Sequence, residues 1–84
     1  VFLKATNKVH DGVQYEYTFP NGYGASVIKH SYSYGGKDGK WELAVLKDDE
    51  LCYDTSITND VLGHLTTGEV NVILDKIRDL DIAQ

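Results

Sequence analysis

Residues 13–46, VQYEYTFPNGYGASVIKHSYSYGGKDGKWELAVL, decide the fold. From Val13 the alternation is strict, with Val13, Tyr15, Tyr17 and Phe19 on one face and Gln14, Glu16 and Thr18 on the other. Period-two patterning in aromatic and β-branched residues marks a half-buried strand. Pro20-Asn21-Gly22 then reads as a turn, because proline pre-sets φ, asparagine tolerates unusual backbone angles and glycine accepts positive φ. The second strand is expected from Gly24 to Tyr34, with Ile28, His30, Tyr32 and Tyr34 on one face. Ala25, Val27, Lys29, Ser31 and Ser33 take the other. Residues 35–39, GGKDG, form a hairpin loop, and Lys40 to Lys47 alternates again, with Trp41, Leu43 and Val45 against Glu42, Ala44 and Leu46.

Working outward, residues 2–6 (FLKAT) supply a short first strand that reaches a turn at His10-Asp11-Gly12. Beyond a polar turn at Asp48-Asp49-Glu50, Leu51 to Asp54 reads as a fourth strand. The period then changes. Thr58 is expected to cap a short helix over Asn59 to Leu65. Thr66-Thr67-Gly68-Glu69 fits a capping box, in which Thr66 caps and Glu69 reaches back. Behind it Val70, Ile73, Leu74, Ile77 and Leu80 recur at spacings of three and four, one apolar stripe on an amphipathic helix. The expected fold over residues 1–84 is a single α+β domain. It is an antiparallel four- or five-stranded meander, with one short helix and a C-terminal amphipathic helix packed on one face.

Composition narrows the function. A 42% hydrophobic share and one proline favour a folded globule over a disordered tail. One cysteine allows no internal disulfide, so a cytosol-like, reducing setting is expected. The opening residues, VFLKATNKVH, lack the pattern of a signal peptide, and no apolar run is long enough to span a membrane. The net charge of −5 repels a phosphate backbone, and Lys37, Lys40 and Lys47 are diluted by neighbouring acids. The sheet aromatics therefore do not read as a nucleic-acid platform. A protein partner fits better.

Catalytic and metal readings are weaker than their ordinary alternatives. Cys52, between Leu51 and Tyr53, reads as a small buried hydrophobe rather than a nucleophile served by His30 or His64. His10, His30 and His64 are widely separated along the chain and lack metal-ligand spacing. Asp48-Asp49-Glu50 lacks the spacing and central glycine of a calcium loop. No cofactor is implied, and no nucleophile, base and orienting group can be assembled, so the chain reads as non-enzymatic. The tyrosines carry the binding expectation, since tyrosine offers large area, a polar tip and little entropy to lose. Tyr23, Tyr32, Tyr34, Trp41 and Tyr53 are the candidate partner-binding residues. A homodimer pairing sheet faces or edge strands is a sub-case. The alternative is an acidic nucleic-acid mimic that inhibits a host DNA-binding or defence protein. Asp48, Asp49, Glu50, Asp54, Asp60, Asp75, Asp79 and Asp81 would supply its charges.

The runs FPNGYGASVIKHSYSYGG (19–36), WELAVL (41–46) and LCYDTSITNDVLGHLT (51–66) together resemble a family of short proteins carried by tailed bacteriophages and prophages. The resemblance covers residues 17 to 80. It implies no catalytic residue. It implies a small accessory product in the host-cell cytoplasm that binds a protein, host- or phage-encoded.

Overall fold

The computed structural model describes residues 2–48, 50–53, 55, 57–58 and 60–81. Six strands and one α-helix follow in chain order: β1 (Leu3–Val9), β2 (Gly12–Thr18), β3 (Tyr23–Lys29), β4 (Trp41–Lys47), β5 (Glu50–Leu51), β6 (Leu62–Leu65) and α1 (Thr67–Arg78). The first five form an antiparallel meander, and β6 also pairs with β4. Because β3 holds one side of β4, the two short strands divide the other. β5 lies opposite Leu46 and Lys47, and β6 opposite Trp41 and Leu43. The α+β architecture, with one amphipathic helix after the sheet, is as the sequence reads.

The register carries the alternation of β2 across the sheet. Tyr15 pairs with Val27 and Tyr17 with Ala25, and these pair onward with Leu43 and Val45. This row faces α1, which packs over β3, β4 and β6. Ala25, Val27, Leu43, Val45, Leu65, Val70 and Ile77 form the buried core, with Phe19 and Cys52 at its margin; Ile73, Leu74 and Leu80 pack against it. The five stripe residues of the helix therefore all reach the core. Each such aliphatic side chain contributes about 1.5–3 kcal/mol on full burial. The capping box is complete: the Glu69 N–H donates to Thr66 Oγ1 (3.2 Å), and the Thr66 N–H donates to Glu69 Oε1 (2.9 Å).

Three elements differ from the sequence reading, the third being the shorter strand β5. First, β3 ends at Lys29 rather than Tyr34. Ser33 offers the chain an alternative to the ladder: its Oγ accepts from the His30 N–H (3.0 Å) and donates to the His30 carbonyl (2.9 Å). The connection to β4 is consequently a long loop containing a 3-10 turn at Gly36–Asp38. Ser31, Ser33, His30, Tyr32 and Tyr34 leave the sheet, and Lys29 turns toward the helix side, its Nζ 4.4 Å from the Trp41 ring centroid. The face away from the helix is polar instead through Asn7, Gln14 and Ser26. Asn7 Nδ2 donates to Gln14 Oε1 (3.2 Å), and Gln14 Nε2 to Ser26 Oγ (2.8 Å).

Second, the helix expected over 59–65 is strand β6 where it is described. Leu62 and Leu65 sit three apart, a helical spacing. Their partners on β4, Leu43 and Trp41, sit two apart, so β6 carries one extra residue. His64, at φ 55°, takes up that residue in the left-handed region. Thr58, the expected cap, instead closes a local turn, its hydroxyl donating to the Asp60 carbonyl at 2.8 Å. The expected strand over 51–54 is the two-residue β5, while Asp49, Asp54 and Asn59 lie outside the described residues.

Candidate functional site: the aromatic loop

A meander places alternate turns at the same end of the sheet. The β1–β2 turn (His10-Asp11) and the β3–β4 loop therefore meet, although twenty residues separate them in sequence. The rings of His10 and His30 lie 4.8 Å apart, and Tyr32 lies 5.4 Å from His10 and 6.2 Å from His30. Widely separated along the chain, two of the three histidines are neighbours in space. Counting turns along the meander is the signal that would have found this.

The loop backbone is held from several sides. Asp11 Oδ1 accepts from the Ser31 N–H (2.9 Å), His30 Nδ1 from the Tyr32 N–H (3.0 Å), and Glu42 Oε1 from the Tyr34 N–H (3.0 Å). The Tyr34 carbonyl in turn accepts from the His64 N–H (3.1 Å). The Ser31 backbone N–H is the main cause that holds the Asp11 carboxyl below its ordinary value. Close approach also fixes residue types: a Cβ on Gly36 would sit 1.8 Å from the His30 oxygen, and one on Gly63 2.5 Å from Tyr34 Cβ.

The side chains do the opposite. Tyr32 is 78% exposed and Tyr34 61% exposed. A depression of about 530 Å³ opens beside them, lined in part by Asp11, Lys29, His30 and Lys37. Its polar groups are of mixed sign.

The candidate residues divide. Tyr32 and Tyr34 are both exposed on the loop, Tyr32 beside the two histidines and Tyr34 beside Gly63. Trp41 enters β4 at the same end but is half-buried, packing against the core and donating its Nε1–H to Thr67 Oγ1 (3.3 Å). Tyr23 also packs against the core, at the start of β3, and the length of that strand separates it from the loop by about 20 Å. Tyr53, 43% exposed, lies in the β5–β6 connection.

Cys52 is buried in the core margin, and its N–H donates to the Val45 carbonyl (2.8 Å). Among the described residues no three His, Cys, Asp or Glu side chains converge as metal ligands, and no helix is long and apolar enough to cross a membrane. Of the carboxylates named for a nucleic-acid mimic, Asp75 and Asp79 share Arg78 at 3.2 and 3.4 Å. No protein-family model, curated protein or solved structure matches the chain.

Proposed function

We propose that the chain is a small, acidic, non-enzymatic protein-binding module that docks its partner on the β3–β4 loop. One observation carries the reading: the Tyr32 and Tyr34 rings are exposed on a backbone that several hydrogen bonds already hold in place. A fixed loop loses little entropy on binding, and two-χ aromatic side chains lose little more. Exposed aromatics supported in this way are the residue type that anchors interfaces. A phage accessory role in the host cytoplasm is the part that rests on the sequence resemblance.

The test is capture from host lysate with wild-type protein and a Tyr32→Ala/Tyr34→Ala double variant. The variant is expected to fold with unchanged secondary structure. It should bind the captured protein at least about thirtyfold more weakly, the scale of an aromatic hot spot. Equal binding by both proteins would overturn the assignment to this loop.

A further inference from the structure

The sheet has one long open edge. At the β4 side two short strands share the border, but β1 runs seven residues with no described element paired to its outer side. Which of its groups face outward follows from the register. The Phe19 N–H bonds the Tyr23 carbonyl, so odd residues of β2 point their hydrogen-bonding groups to β3 and even ones to β1. Gln14 and Glu16 therefore engage Asn7 and Ala5. Thr6 and Lys8, opposite Tyr15 and Val13, turn their N–H and C=O groups away from the sheet. These are unused ladder positions, ready for another strand.

Beside this edge lies a groove of about 380 Å³, between β1 and the second half of α1, lined by Phe2, Leu3, Tyr17, Leu74 and Arg78 among others. It is there because the helix packs over β3, β4 and β6 and leaves the β1 side of the front face open. Phe2 and Leu3 at its mouth are 38% and 42% exposed. The strand itself is basic within an acidic protein: Lys4 and Lys8 are its charged residues, and both are exposed.

We propose that the outer edge of β1 takes an extended acidic peptide as an added antiparallel strand, with one apolar side chain entering the groove. A second copy of this chain is the wrong occupant. Antiparallel pairing of β1 with itself about Thr6 sets each Lys8 against the other copy's Leu3–Lys4 bulge and gathers four lysines on one short ribbon, and like charges brought together across a strand pair destabilise it. The geometry also sets a pattern. Along the helix-facing row of β1, Leu3, Thr6 and Lys8 occupy successive positions, because the bulge at Lys4 absorbs one residue. An antiparallel ligand therefore places its acid opposite Lys8 and, four residues later on the same face, its apolar anchor beside Leu3. This surface is independent of the aromatic loop.

The probe is a blocked fluorescent peptide, TETVTFT, as long as β1, with its lysine counterpart TKTVTFT. Fluorescence anisotropy at low salt is expected to show the glutamate peptide binding about fivefold more tightly. Lys8→Glu should reverse that preference, a swap that loss of folding cannot imitate. Thr6→Pro, which removes an outward N–H that an edge strand can spare, should abolish binding of both peptides while thermal unfolding is unchanged. The Tyr32→Ala/Tyr34→Ala variant should bind them as wild type does. Equal affinity for the two peptides, no reversal in Lys8→Glu, or a concentration-dependent dimer of the wild-type chain that Thr6→Pro abolishes would each overturn the proposal.

Discussion

The two ends of the sheet solve opposite problems with similar residues. At the loop end, polar side chains (Asp11, Ser33 and Glu42) hold backbone in place so that tyrosine rings can stand outside. At the other end, the turn after β2 sends its own side chain inward. Asn21 is buried; its Nδ2 lies 2.9, 3.0 and 3.0 Å from the carbonyls of Ile77, Arg78 and Leu80, and its Oδ1 accepts from the Tyr23 N–H at 3.0 Å. Ile77 and Arg78 end the helix and Leu80 lies just past it, where backbone acceptors beyond the last intrahelical bond need donors from elsewhere. A turn residue of the sheet thus caps a helix that begins more than forty residues later. One end spends its polar groups on joining two layers, the other on presenting a surface.

Breaking the joined end should have the larger effect. Asn21→Ala takes away the amide shared by the Arg78 and Leu80 carbonyls and leaves the Tyr23 N–H without its partner, and should lower unfolding stability by about 1–3 kcal/mol in urea titration. Asn21→Asp should cost more, because a carboxylate then faces carbonyl oxygens at the negative end of the helix dipole. If Asp is tolerated as well as Ala, the contact is not the cap described. At the loop end, Ser33→Ala removes one local pair of hydrogen bonds, and about 0.5–1.5 kcal/mol is expected. Its signature should be local. Amide exchange should quicken at His30 and Tyr32 before it does in β4, and uniform quickening would mean that the two ends are not separable.

The smallest effect sharpens the comparison through pH. The Thr66 backbone N–H, then its hydroxyl, holds the Glu69 carboxyl below its ordinary value. A carboxyl depressed in the folded state contributes stability above its unfolded pKa and loses it as pH falls through the folded one. Asp11 behaves in the same sense through Ser31. Glu69→Gln should therefore flatten the acid limb of a stability–pH profile at the helix start, and Asp11→Asn should flatten it at the loop. Profiles of both variants that superpose on wild type below pH 5 would remove these contacts from the account.

What was legible in the sequence was local. The alternation from Val13 to Phe19 and the helix stripe from Val70 to Leu80 each declare their own period, and the Thr66–Glu69 box is complete within four residues. What escaped was competition or distance. The alternation of HSYSY continues past Lys29 on paper, and the strand ends where the Ser33 hydroxyl and N–H bond back to His30 and Asp11 takes the Ser31 N–H. Leu62 and Leu65 carry helical spacing because a bulge adds one residue to a strand, which no pattern count separates from a helix turn. Of the candidate residues, Tyr32 and Tyr34 stand out by type alone, whereas the His10–His30 contact requires the order of turns, and Tyr23 and Trp41 pack against the core because their faces look toward α1.

The Asn21 contact also orders events during synthesis. Its donor leaves the ribosome fifty-six to fifty-nine residues before its acceptors. At about 5–20 residues per second, that interval lasts some seconds. Until the helix is made, nothing on α1 can cover Ala25, Val27, Leu43 and Val45 or accept from the Asn21 amide. Helix arrival seals the apolar face and occupies the amide in one stroke, so the bond serves as the closing latch of the molecule rather than as part of its first framework.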